Sequence, residues 1–492
     1  MKTFVLTACG LALSAALALP TAAQRKSGPG PVPQRRPAHA AATRTTEPVA
    51  PKETPPPGGP ARDFQLPART DFTLSNGLLT RLVPYGNIPK VNILVAVRAA
   101  KVNEPAGQDG VSTLLAKLMQ EGTTSRTAAA VAEQAARMGG SLYVGAGNDE
   151  TRIYADCLSE YAPAMLALLA DVVQHPVLPA AELPRLKTDL KRQYNLQRGQ
   201  PGTQARQKLL GSLYPGQAYG RPLPTDAQVD ALTIEQARAF YQAEFGAQRT
   251  AIFIAGKFDV AAARQAVETN WTSWPTGPAP RLVVAKPATQ ATLLTQDRPD
   301  APQSTLMLGL PVADPTSPDY TALRVTNSLL GGSFGSRITR NIREDKGYTY
   351  SPYSYLDADY HTALWVEAAD VTTKDTYNSL KEIVNEIERL QKTPPTADEL
   401  RGIQNYEVGT FVLRNSSPGG IVSQLDGMHL QGQPDTYLTE QVQRLNAVTP
   451  EQVSTLTRKY IRPEALTTVV VGDQKVIAPQ LKQYQAMQKK AL

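Results

Sequence analysis

The sequence predicts an α+β protein made of two homologous halves, each an antiparallel sheet with helices packed on one face. Three observations carry that prediction. Strand-like and helix-like stretches recur in similar order over residues 63–275 and 288–485. Both halves close with an apolar run that ends in Gly: Ile254-Ala255-Gly256-Lys257 and Val470-Val471-Gly472-Asp473. Between them, Trp274-Pro275-Thr276-Gly277-Pro278 breaks the chain. The repeat is carried by the order of elements more than by residue identity.

In the first half, Phe72 to Leu78 reads as strand, turn, strand, with Asn76-Gly77 as the hairpin signal. Val91–Val97 is a β-branched strand. Gly110–Gln120 has helical spacing, with Leu114, Leu115, Leu118 and Met119 on one side. A helix over Ala128–Met138 is stopped by Gly139-Gly140. A strand over Arg152–Cys157, helices over Ala162–Gln174 and Ala180–Gln197, and a strand over Thr250–Gly256 follow. The second half offers a strand over Ser304–Leu310, a helix over Tyr320–Leu330 broken by Gly331-Gly332, and a strand over Thr362–Ala368. A helix over Asp375–Leu390 and a closing strand over Thr467–Gly472 complete it.

The N-terminus reads as an export signal over residues 1–23. Lys2 is followed by an apolar stretch from Phe4 to Leu19 and by Thr21-Ala22-Ala23, a small-residue cleavage site. The expected location is therefore periplasmic or extracellular. Leu6-Thr7-Ala8-Cys9 has the look of a lipoprotein cleavage box, but it lies too near Lys2 for an ordinary apolar core, so lipid anchoring at Cys9 is the weaker reading. Residues 24–62, rich in Pro and Gly, read as a disordered tether. No later apolar run is long enough for a transmembrane helix in the mature chain.

The net charge of +7 suggests nucleic acid only until it is located. The tether holds +5 of it and Lys2 one more, leaving about +1 for the rest, no electrostatic footprint for DNA or RNA. Cys157 stands alone outside the signal, which makes it a small core residue before a nucleophile.

One segment carries the recognition: Gly110-Val111-Ser112-Thr113-Leu114-Leu115-Ala116-Lys117, then Glu121-Gly122-Thr123. It resembles the zinc helix of the insulinase/pitrilysin metallopeptidases, which reads G-x-x-H-x-x-E-H before a Gly-Thr. There two His one turn apart grip Zn²⁺ and the Glu activates its water. Here those positions carry Thr113, Ala116 and Lys117, and aligning Leu186–Pro201 with the helix of the third ligand puts Gln193 in its place. Thr and Gln are poor zinc ligands, Ala cannot be a base, and Lys is a cation where a dication belongs. The four His of the chain (His39, His175, His361, His429) include no pair at ligand spacing. The expectation is no metal and no cofactor in this chain.

The resemblance continues through Ser141–Val144, Leu213-Tyr214, Ala218–Pro222 and the helix capped by Thr233. Its best-kept stretch is Gly331-Gly332-Ser333-Phe334-Gly335, with Arg343-Glu344-Asp345-Lys346-Gly347-Tyr348-Thr349-Tyr350 after it. In the family this segment faces the zinc helix across a clam-like chamber, and its Arg and Tyr contact the substrate backbone and the attacked carbonyl. Carried over, Arg343 and Tyr350 take those places, with Tyr348 as neighbour or substitute and Gly331-Gly332 as the turn. A guanidinium and a phenol suit an oxyanion. The plainer reading pairs Arg343 with Glu344 or Asp345 and uses the tyrosines for sheet packing.

The resemblance thus implies a non-catalytic subunit. An H-x-x-E-H partner subunit supplies zinc and base, and this chain binds peptide substrates held as an added strand. Two other readings stand beside it: a peptide-binding or scaffold protein without catalysis, and a self-sufficient metalloendopeptidase with an unrecognised site.

Overall fold

The computed structural model describes residues 65, 67–281 and 283–491. The expected signal and tether lie outside them. Eleven strands build two sheets. The first contains β1 (Thr70–Thr73), β2 (Leu79–Pro84), β3 (Lys90–Val97), β4 (Ser141–Ala146), β5 (Thr151–Leu158) and β6 (Thr250–Gly256), in the order β1-β2-β6-β3-β5-β4. The second contains β7 (Leu293–Asp297), β8 (Gln303–Val312), β9 (Tyr353–Asp359), β10 (Thr362–Thr372) and β11 (Thr467–Gly472), in the order β7-β11-β8-β10-β9. Without β1 the two orders are the same, so the repeat read from the sequence is a repeat of topology.

The sheets are antiparallel except for one pair in each. The closing strands β6 and β11 run parallel to β2 and β7. Both closing strands are buried along their whole length. A strand covered on both faces needs no polar alternation, which is why both appear in the sequence as unbroken apolar runs.

Five helices of the first half matter for the site: α1 (Val111–Leu118), α2 (Ala128–Arg137), α3 (Ala162–Gln174), α4 (Leu183–Arg198) and α5 (Pro201–Leu213). Leu114, Leu115 and Leu118 of α1 and Leu166, Leu169 and Val173 of α3 pack with Ile93, Val95, Ile252 and Ile254 on one face of the first sheet. Cys157 lies in this core, and burial pushes its thiol up to about 12, so it is an inert packing group.

The other face of each sheet is covered by the opposite half. Helix Pro418–Gln431 lays Ile421, Val422 and Leu425 on Leu94, Phe253 and Ala255 of the first sheet. Reciprocally, α5 lays Ala205, Leu209 and Leu213 on Met307, Leu364, Val366, Val469 and Val471 of the second. Successive strand residues point to opposite faces, so Ile93 and Val95 serve one core while Leu94 and Ala96 serve the other. Gly309 on β8 makes the α5 contact possible: a Cβ there would lie 2.9 Å from Leu209 Cδ2.

The helix expected over Tyr320–Leu330 is α-helical only over Tyr320–Asn327 and widens to a π-helical turn over Ser328–Gly332. Packing explains the change. A Cβ on Gly331 would lie 2.5 Å from Ser354 Oγ and 2.6 Å from Glu367 Oε2. One on Gly332 would lie 2.4 Å from Asn327 Nδ2. Only glycines let the turn sit this low over β9 and β10. Glu367 beneath it is fully buried, and burial holds its carboxyl well above the usual range.

A charged junction ties the halves together. Arg152 of β5 donates to Glu150 Oε2 and to Asp426 Oδ2, both at 2.8 Å. Both acids are buried, and burial raises both pKa values; the charge of Asp426 adds to the rise at Glu150, while Arg152 and a hydrogen bond with Glu150 oppose it at Asp426. Beside them the tips of the β4–β5 and β9–β10 hairpins meet. Asn148 donates to Asp359 at 2.8 Å, and Asp149 accepts from the Tyr360 amide and the Tyr219 phenol.

Candidate functional site

Helix α1 begins at Gly110, which is left-handed (φ 91°) and offers no side chain to cap the helix. Glu104 caps it instead: Oε1 accepts from the Ser112 amide at 3.0 Å and the Ser112 hydroxyl at 2.6 Å. A buried carboxylate at a helix N-terminus satisfies free N–H groups and complements the dipole. Burial raises the Glu104 pKa, and the Ser112 bonds oppose the rise. Glu104 is thereby committed to holding the helix.

The first turn of α1 opens on a cleft of about 430 Å³. Thr113 and Gln193 line it together, so the fold brings these two expected positions to one place. Lys101, Asp109, Asn148, Tyr194, Arg221 and Leu223 share its walls. Tyr194, next to Gln193 on α4, is buried and hydrogen-bonds Thr113. Ala116 is buried and Lys117 half-buried, and neither lines the cleft.

The donor set does not fit a zinc ion. The Thr113 hydroxyl is spent on Tyr194, Gln193 is a neutral amide, and Lys101 and Arg221 bring positive charge. Of the two carboxylates, Glu104 caps α1, while Asp109 receives Arg221 at 3.4 Å and Gln228 at 3.1 Å. Among the described residues no group of three His, Cys, Asp or Glu side chains is arranged to hold a metal. His429, at the junction, is pushed down to about 3 by burial and by Arg98. No metal-assisted step can be routed through these residues.

The second-half segment is placed elsewhere. Arg343 and Tyr350 do not line the cleft at α1. Arg343 lies in a second π-helical turn, Arg340–Asp345, with its guanidinium 4.0 Å from the centre of the Phe334 ring. It forms a cation–π contact, and among the described residues it pairs with neither Glu344 nor Asp345. Tyr350 is 86 % exposed, three residues before the start of β9. Tyr348 packs against the second core instead. Gly331 and Gly332 form the turn described above.

The sheet edges are the remaining polar surface of interest. β4 and β9 are outer strands. Gln120 of the α1 segment donates to the Val144 carbonyl of β4 at 3.2 Å, capping part of that edge. The roles of Lys101, Glu104 and Asp109 were not legible in the sequence, because nothing in their spacing announces that they converge. Arg221 stood in a segment noted only for its resemblance.

Two family models match adjoining parts of the chain. Residues 85–226 match the insulinase model (peptidase family M16), and residues 231–406 match the model of the M16 inactive domain. An uncharacterised zinc protease of Bacillus subtilis is 25 % identical over 390 residues, covering 79 % of this chain and 94 % of that protein. One of Streptomyces coelicolor is 22 % identical over 79 % of this chain and 86 % of its own. Among solved structures, the M16 inactive-domain protein of Pseudomonas fluorescens aligns with TM-score 0.76 and 24 % identity, covering 82 % of this chain and 98 % of its own. A protease of Helicobacter pylori aligns with TM-score 0.78 and 18 % identity, covering 83 % of this chain and all of its own. The periplasmic protease PqqL of Escherichia coli aligns with TM-score 0.71 and 18 % identity over 84 % of this chain and 46 % of its own. These structural likenesses show the clam-like M16 fold. The two family models together span more than half of the chain, and with the shared fold they place it in the insulinase (M16) peptidase family, as a member whose sequence contains no H-x-x-E-H motif.

Proposed function

We propose that this chain is the non-catalytic subunit of an exported zinc metallopeptidase. An M16 partner with H-x-x-E-H supplies the metal and the base. This chain, with its halves at 63–275 and 288–485, closes the chamber and contributes substrate contacts. One contrast carries the reading. All four zinc-helix and third-ligand positions are altered, while the glycine turn at 331–332 is held by close packing and leads to a half-buried Arg343 over the Phe334 ring and an exposed Tyr350. Both can reach a substrate held by another chain, since a guanidinium and a phenol need only hydrogen-bond distance to a developing oxyanion. The outer strand β9, three residues after Tyr350, gives an extended peptide a backbone edge to join. The export signal in the sequence and the periplasmic neighbour support action outside the cytoplasm.

The test is native purification through a tag on this chain, followed by peptide hydrolysis with and without a chelator. The reading expects a co-eluting M16 protein with an intact motif and activity that chelation abolishes. Arg343→Ala then lowers turnover at least tenfold without dissociating the pair. A chain that elutes alone and inert, or turnover unchanged by Arg343→Ala, overturns it.

A further inference from the structure

The cleft at the N-terminus of α1 is lined by both cations and carboxylates. Its 430 Å³ lies within the range of small-ligand pockets, roughly 300–1,000 Å³. The cations and carboxylates that line it are unequally satisfied. Glu104 is spent on the N-terminus of α1, and Asp109 on Arg221 and Gln228. Lys101 is half-buried, and among the described residues no carboxylate comes within ion-pairing distance of its nitrogen. Its Nζ donates to the Arg221 carbonyl at 3.0 Å, which leaves two N–H groups for another acceptor. Arg221 reaches Glu104 only at 4.0 Å and Asp109 at 3.4 Å, so its guanidinium is loosely held. The Gln193 amide makes no hydrogen bond within the protein among the described residues. Pro222, Leu223, Pro224 and Ala146 supply an apolar wall.

Glu104, Asp359 and Asp109 act on this ammonium only from beyond ion-pairing distance, and an anion in direct contact offsets more of the cost of withdrawing it from water. We propose that this cleft binds a carboxylate borne by an apolar residue. The carboxylate meets Lys101, with Arg221 and Gln193 beside it, and the apolar body lies on Leu223 and Pro224. The source is either a free acylated amino acid or the C-terminal residue of a peptide. The site needs no partner subunit, so it stands or falls separately from the assembly proposed above.

Isothermal titration of the full chain at pH 7 tests it with N-acetyl-leucine, N-acetyl-alanyl-leucine and the C-terminal amide of each. The acids bind, and the amides bind at least tenfold more weakly. Lys101→Met lowers acid affinity at least tenfold and removes the discrimination, while Lys101→Arg keeps it. Circular dichroism and the melting temperature establish that each variant is folded. Tighter binding of the dipeptide identifies a peptide end as the source, and tighter binding of N-acetyl-leucine a free acid. Equal affinity for acid and amide, no binding of either, or a folded Lys101→Met chain with unchanged discrimination overturns the proposal.

Discussion

Replacing Arg152 by Met removes the cation that hydrogen-bonds both acids of the inter-half junction and leaves Glu150 with Arg98 at 3.9 Å. The Arg152 guanidinium holds Glu150 and Asp426 at 2.8 Å each, and their side chains are 0 % and 4 % exposed. Breaking a buried ion pair from one side typically costs about 3–5 kcal/mol, because the partner is left charged and unsolvated. Arg152 is 32 % exposed and water screens part of its field, so the lower end, about 3 kcal/mol, is expected. The cost depends on pH. Burial raises the folded pKa of both acids, and the charge of Asp426 adds to the rise at Glu150, so the folded state favours their protonated forms. Near pH 4 they take up protons when the arginine is gone, and the penalty is small. Approaching neutrality the proton must be released or held at growing cost, and the penalty rises. Urea unfolding followed by tryptophan fluorescence measures this, since Trp271 and Trp274 report on the first half and Trp365 on the second. Adding Asp426→Asn to Arg152→Met recovers part of the loss. A cost below about 1 kcal/mol, or one independent of pH, refutes the claim that this junction holds the halves through charge.

Asp359 gives the unmodified protein a pH dependence of its own. Burial, with Asp149 and Asp357 nearby, raises its folded pKa to about 6, so its stabilising share is complete below about pH 4 and is lost as pH rises to 6. Asp359→Asn flattens that part of a melting-temperature profile. Leu209→Ala empties the contact of α5 with the second sheet and costs about 2–5 kcal/mol in urea unfolding, although the residue belongs to the first half. Gly331→Ala drives a methyl into Ser354 and Glu367 and costs about 1–3 kcal/mol; an unchanged melting temperature excludes the close packing described here. Metal analysis of the purified chain finds well under one zinc per molecule, and stoichiometric zinc overturns the reading of Thr113, Lys117 and Gln193 as lost ligands.

The sequence by itself determined the kind of fold. Local patterns sufficed for that. The unbroken apolar runs of β6 and β11 mark strands buried on both faces, the Asn76-Gly77 turn marks a hairpin, and Thr233 caps its helix. A helix fixes which residues share a face, so Thr113 and Lys117 can be weighed as ligands from spacing alone. Only the tertiary structure decided which side chains converge at the N-terminus of α1 and how the halves join. Helices α5 and Pro418–Gln431 cross to cover the opposite sheets, and no periodicity states which sheet an apolar face will meet. Arg152 and Asp426 lie 274 residues apart in the chain, and Lys101 and Arg221 120 apart. Their charges matter through burial and mutual distance, which are set by the packed core and are absent from any local stretch of sequence.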